Sequence, residues 1–121
     1  SEATLMDSTR KNLLREEVSQ VNQNKAMRHL SRSLRFFYDE QFRNALSEVN
    51  SAIELNPNLA IAYGRRGSIY YKLGDNRRAT LNWNVALQLD SEFTEIYDML
   101  QAADENRLTP VEIGKTQENI K

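Results

Sequence analysis

The sequence predicts an all-α fold. Helix–turn–helix repeats stack into a short α-solenoid, with an N-terminal extra helix before the stack and a C-terminal capping helix after it. Three observations carry this prediction. The chain repeats itself: with residues 26–59 set above 60–93, Phe36 lies over Tyr70, Ala45 over Ala79, Ala52 over Ala86, Leu55 over Leu89 and Ser33 over Gly67. A period of this length marks stacked units, none of which buries its apolar face alone. The recurring residues are small or aromatic ones at helical spacing, as helix-on-helix packing requires. No reactive group recurs, so the repeat points to a binding surface.

The elements follow in order. A first helix, at about residues 9–22, carries the short apolar stripe Leu14, Val18 and Val21, with Leu13 beside it and Arg15, Glu16 and Glu17 outward. The polar run from Asn22 to Lys25 is a poor helix former. It is expected to break the chain there and to leave 1–24 as an N-terminal helical extension. Continued straight, the stripe would point roughly opposite to Leu30, Leu34 and Phe37, and one helix would have two unrelated apolar faces. The repeat domain is assigned to 25–106, with repeats 26–59 and 60–93 and helices near 25–38, 41–55, 59–73 and 76–89.

Within the repeats, Gly67 with Ala79, and Ser33 with Ala45, let two helix backbones approach closely. Tyr70, Trp83, Phe36 and Phe42 fill the space around those contacts. The run Leu73, Gly74, Asp75, Asn76 reads as a helix stop followed by a cap, and Asn56–Pro57 as a cap with proline at the first helical position. Glu40 stands where the second unit has Gly74, so the first turn either avoids a positive φ or is slightly strained. A last helix over 92–106, with Asp90 or Ser91 as its cap, carries Ile96, Tyr97 and Leu100 and covers the open end of the stack. Thr109–Glu112 has a capping-box pattern, but Gly114 and polar surroundings oppose a stable helix, and 107–121 is assigned to a flexible tail.

The second repeat resembles a tetratricopeptide repeat (TPR), a helix–turn–helix unit. Tyr63, Gly67, Tyr70, Ala79, Trp83 and Ala86 fall on that family's motif positions. Arg66 departs from the usual Leu, and Ser91 from the closing Pro. The first repeat matches less well: His29 and Val49 stand where aromatics are usual and Ser33 where Gly is usual, while Phe36, Ala45, Ala52 and Pro57 are kept. The two copies cover 26–93, a little over half the chain.

The resemblance implies a non-enzymatic module that binds a helix or an extended peptide in a concave groove lined by the first helix of each repeat. Carried over residue by residue, the groove positions are Met27, Leu30, Leu34, Phe37 and Tyr38 in the first unit. In the second they are Ile61, Gly64, Ser68, Tyr71 and Lys72. The first set is apolar, and such a stripe needs cover. Its occupant is either this chain's own helix at 9–22, folded back, or a segment of another chain. That helix could equally exchange with a second copy, making the chain a homo-oligomerisation module; it has too few heptads for a coiled coil to be assigned. Members of the family that grip acidic chaperone C-termini use Lys and Asn at positions where this chain has Leu30 and Leu34, so that activity is not expected.

Charge adds a second theme. Arg28, Arg32 and Arg35 lie along one side of the first repeat helix, where an interior repeat would pack against its predecessor. They read as a solvated end face or as a docking row for an acidic partner, joined by Arg65 of the second unit. Screened surface pairs contribute little on their own.

Composition excludes several classes. The chain has 121 residues, 16 Lys and Arg, 17 Asp and Glu, a single His and no Cys. A net charge near zero supplies no field toward nucleic acid or anionic membrane, and the expected burial of Tyr70 and Trp83 further disfavours RNA stacking. No phosphate-cradling loop, paired carboxylates or metal-ligand spacing is present, so no catalytic residue, metal or cofactor is assigned. His29 is expected to serve packing. The partner is expected to be another protein or peptide rather than a small molecule. No apolar run has the length of a membrane span, and no signal peptide is visible. The chain starts with Ser rather than Met, which fits a processed or excised form, so the sequence does not tell whether a targeting segment once preceded it. The compartment stays open.

Overall fold

The computed structural model of the chain describes residues 1–105. Five helices follow one another: α1 (Glu2–Tyr38), α2 (Phe42–Leu55), α3 (Ala60–Lys72), α4 (Asn76–Leu89) and α5 (Thr94–Glu105). Helices α1 and α2 pack as one hairpin and α3 and α4 as the next. α2 lies against α3 between the hairpins, and α5 packs on α4. The fold is all-α and TPR-like. The sequence expectations for Asn106, for the tail at 107–121 and for Thr109–Glu112 lie outside the described residues.

The helix break expected at Asn22–Lys25 is absent. α1 is one helix of 37 residues, and its N-terminal part does not fold back. The reason is local energetics. An Asn or Gln in a helix costs only fractions of a kcal/mol relative to Ala, whereas nucleating a second helix is costly. No Gly or Pro interrupts residues 2–38. The Gln20 side chain donates from Nε2 to Asn24 Oδ1 at 3.1 Å, bridging the polar stretch one turn apart. The continuous helix therefore has the two apolar faces that sequence reasoning set against a straight course.

Each hairpin closes on small residues. In the first, Ser33 is buried and its Oγ donates to the Ala45 carbonyl at 2.9 Å. In the second, a Cβ added to Gly67 would collide with the Trp83 ring and stand 3.0 Å from the Ala79 carbonyl oxygen. The core has two parts: Ala26, Leu30, Ala45, Val49, Ala52, Ala62 and Ile69 in one, Ala79, Trp83, Ala86 and Ile96 in the other. Trp83 Nε1 donates to the Gly64 carbonyl at 3.2 Å, tying α4 to α3.

The turns match in geometry as well as position. Glu40 adopts φ 60° and Gly74 φ 86°. After Glu40, Gln41 N donates to the Phe36 carbonyl at 2.8 Å; after Gly74, Asp75 N donates to the Tyr70 carbonyl at 2.9 Å. Both are helix ends closed through one left-handed residue. The first turn thus takes the strained course, with a glutamate where glycine is at ease.

Candidate functional site

The first helices of the two units and α5 bound a cavity of about 370 Å³. Its wall is mostly apolar: Leu34, Phe37 and Tyr38 come from α1, Ile61 and Ile69 from α3, and Phe93, Ile96 and Met99 from the last segment. Helical periodicity explains the α1 contribution, because Leu34, Phe37 and Tyr38 fall on one face and turn toward α3. The α3 side is shallow where Gly64 lies. A Cβ there would stand 3.0 Å from Ile96 Cδ1 and 3.5 Å from Phe93 Cε2, so the glycine lets the α5 segment seat closely.

Two charged residues line the wall, Arg65 of α3 and the exposed Glu95 of α5, and Arg65 is the more deeply set. Its Nη1 donates to the Leu30 carbonyl at 3.2 Å, and among the described residues it has no carboxylate partner. Burial pushes its guanidinium below the usual value, with Tyr38 opposing that shift. Arginine nevertheless stays a cation across the working pH range. Among the described residues, four of its five donor hydrogens are left for other acceptors. Ser68, further along α3, bonds back to the Gly64 carbonyl at 3.3 Å and touches Met99 Sδ at 3.6 Å.

The structure sorts the groove positions expected from sequence. Leu34, Phe37, Tyr38, Ile61, Arg65 and Ser68 meet in the one cavity. Tyr71 and Lys72 line an adjoining cleft of about 190 Å³, which shares Phe37, Ser68 and Met99 with it. Met27 is exposed but lies outside both. Leu30 differs from expectation: it is 1% exposed and belongs to the core, so it supports the groove from behind and presents no surface to a ligand. The cause is α3, which crosses that turn of α1 closely enough for Arg65 to reach the Leu30 carbonyl.

The basic row is also divided. Arg28, Arg32 and Arg35 are all exposed on α1. Arg32 pairs with Glu48 of α2 at 3.4 Å. His29 does more than fill an aromatic's place, since its Nδ1 meets Glu48 Oε2 at 2.7 Å. Sequence reasoning did not place Phe93, Ile96 and Met99 in the site. The available signal is the one-face spacing of Phe93, Ile96, Met99, Leu100 and Ala103; the sequence reading rests on Ile96, Tyr97 and Leu100 and assigns the helix to covering the stack.

Two curated proteins resemble the chain in sequence. The TPR repeat-containing thioredoxin TDX of Arabidopsis thaliana is 32% identical over 81 residues, which are 67% of this chain and 21% of that protein. Heat shock protein STI1 of Saccharomyces cerevisiae is 30% identical over 81 residues, 64% of this chain and 14% of that protein. The chain belongs to the TPR-like family. No family profile matches it. This TPR-like chain spans only about a fifth or less of the relatives it matches, and the likeness bears on a module within each of them. A module of this family serves protein–protein interaction in general. The thiol chemistry in the first relative's name has no residues here, because these 121 residues contain no Cys. Among the described residues, no helix is long and apolar enough to cross a membrane.

Proposed function

We propose that this TPR-like module binds a helix or an extended segment of another protein in the groove between α1, α3 and α5. The observation that carries this reading is the cavity itself. It is an open, mostly apolar trough whose wall holds one half-buried cation, Arg65, without an ion-pair partner among the described residues, and one exposed carboxylate, Glu95. Such a wall suits a ligand with two or three apolar side chains and one acceptor, a carboxylate or a backbone carbonyl, for Arg65. Leu34, Phe37, Tyr38 and Ile61 supply the apolar contacts, Tyr71 and Lys72 extend the trough, and Ser68 adds a polar point.

The test is a selection of binders from a displayed random-peptide library on the immobilised chain, followed by anisotropy titrations of the winners. Peptides carrying spaced apolar residues and an acidic residue are expected. Leu34→Glu is expected to weaken them by about a hundredfold, since it sets a charge in the middle of the apolar wall. Circular dichroism and melting of the variant should stay near those of the parent. Equal binding by the variant, or its collapse on heating, would remove the groove as the binding surface.

A further inference from the structure

Every residue from the N-cap Ser1 to Val21 of α1 is exposed. Among them are Leu5 at 69%, Met6 at 67%, Leu13 at 55%, Leu14 at 54%, Val18 at 60% and Val21 at 48%. So much bare apolar surface on a continuous helix calls for cover. At about 100° per residue, Met6, Arg10, Leu13, Leu14, Glu17 and Val21 fall within an arc of roughly 100°. The buried residues of the same helix, Ala26, Leu30 and Ser33, centre on a direction roughly 180° away. The stripe thus faces away from the repeat body. The cleft where the arm overhangs Leu55, Asn56 and Pro57 is lined from the arm by Leu14, Arg15, Val18, Ser19 and Asn22, and of the stripe it takes only the edge residue Leu14.

We infer that this arm pairs with the arm of a second copy of the chain, antiparallel, about a two-fold axis between Leu13 and Leu14. The inference is independent of the groove. The order of residues on the stripe selects the occupant. With the axis there, Leu13 meets Leu14 of the second copy, Met6 meets Val21, and Arg10 meets Glu17. Symmetry repeats each contact, so both central charges find opposite partners between two apolar layers. Within one chain neither Arg10 nor Glu17 has an ion-pair partner among the described residues.

Two of the alternative arrangements fail on charge, and a parallel pair staggered by one heptad makes the Arg10–Glu17 contact once rather than twice. Parallel, in-register pairing sets Arg10 against Arg10 and Glu17 against Glu17. Sliding the antiparallel pair by one heptad sets either Arg10 or Glu17 against its own copy. Like charges in a seam are strongly disfavoured, and a charged seam position fixes register at some cost in strength. A two-fold contact of this kind is self-complementary and closes at a dimer. The arm is small beside an interface of standard size, so micromolar association is expected.

Sedimentation equilibrium of the 121-residue chain over a wide concentration range tests this. A monomer–dimer equilibrium is expected. Arg10→Glu or Glu17→Arg alone should weaken it by at least about tenfold, and the two reversals together should restore it. Since the chain has no Cys, paired Met6→Cys and Val21→Cys should give an oxidised, cross-linked dimer, while Met6→Cys alone should not. These positions are exposed, so the variants should keep the parent's helicity. Leu34→Glu should leave the dimer unchanged. A monomer up to about 0.5 mM would overturn the inference. So would a double reversal that stays monomeric, a Met6→Cys cross-link, or a dimer lost with Leu34→Glu.

Discussion

The Ser33 hydroxyl donates to the Ala45 carbonyl at 2.9 Å across the first hairpin, in the register at which Gly67 faces Ala79 in the second. One repeat closes its helices with a hydrogen bond and the other with the removal of a side chain. The two solutions respond differently to alanine. Gly67→Ala drives a methyl group into the Trp83 ring and should cost about 1–3 kcal/mol. Ser33→Ala keeps the volume and loses one bond to a carbonyl already used in its helix, and should cost about 1 kcal/mol. Urea unfolding of both variants, compared at equal slope, checks the order.

Glu40 is a second place where the units differ in residue and agree in backbone. Its φ of 60° is one that glycine adopts freely. Glu40→Gly should therefore stabilise the chain by about 0.5–1 kcal/mol. Gly74→Ala, at φ 86° and with no atom within 4 Å of the added carbon, should destabilise it by about 1 kcal/mol from backbone strain alone. Thermal unfolding should move in opposite directions for the two.

Arg66, the departure from the family's usual Leu, spans three helices. Its Nε donates to Asn82 Oδ1 at 2.6 Å and its Nη1 to Asn50 Oδ1 at 3.2 Å, with the guanidinium 5.3 Å from the Tyr63 ring centre. Arg66→Ala leaves the largely buried Asn82 carbonyl without that donor and should cost about 1–3 kcal/mol. Arg66→Ala combined with Asn82→Ala should cost less than the sum of the single changes, as a double-mutant cycle would record.

The continuity of α1 is testable by hydrogen exchange. The amides of residues 22–25 should exchange more slowly than in an unstructured peptide, as members of a single helix. Asn24→Pro should abolish that protection N-terminal to the substitution while the two hairpins keep their melting temperature.

The repeat was legible because close packing admits few residues at its tightest points. Small residues at Ser33, Ala45, Gly67 and Ala79 and rings at Phe36, Tyr70 and Trp83 leave a periodic trace in one sequence. The helix boundary was not legible. Whether Asn22–Lys25 breaks a helix depends on what nucleates either side of it, and residue propensities are too small to decide that. Leu34, Phe37, Tyr38, Ile61 and Ser68, picked out by the α1 and α3 pattern, line one cavity. Leu30 could not be placed, because its burial depends on how closely α3 crosses α1. Phe93 and Met99 could not, because they enter the groove through the seating of α5 over Gly64.

An unbroken α1 makes the exposed arm and the repeat body one rigid lever. Whatever each end holds is set at a fixed azimuth about a common axis, with an axial offset of about 1.5 Å for every intervening residue. Excising seven residues from the arm would shorten the lever by about 10 Å and nearly preserve its phase, whereas excising two would turn one end by about 200° against the other. Length and phase can thus be altered separately by choosing how many residues are cut, as in a spacer whose pitch is built into the backbone.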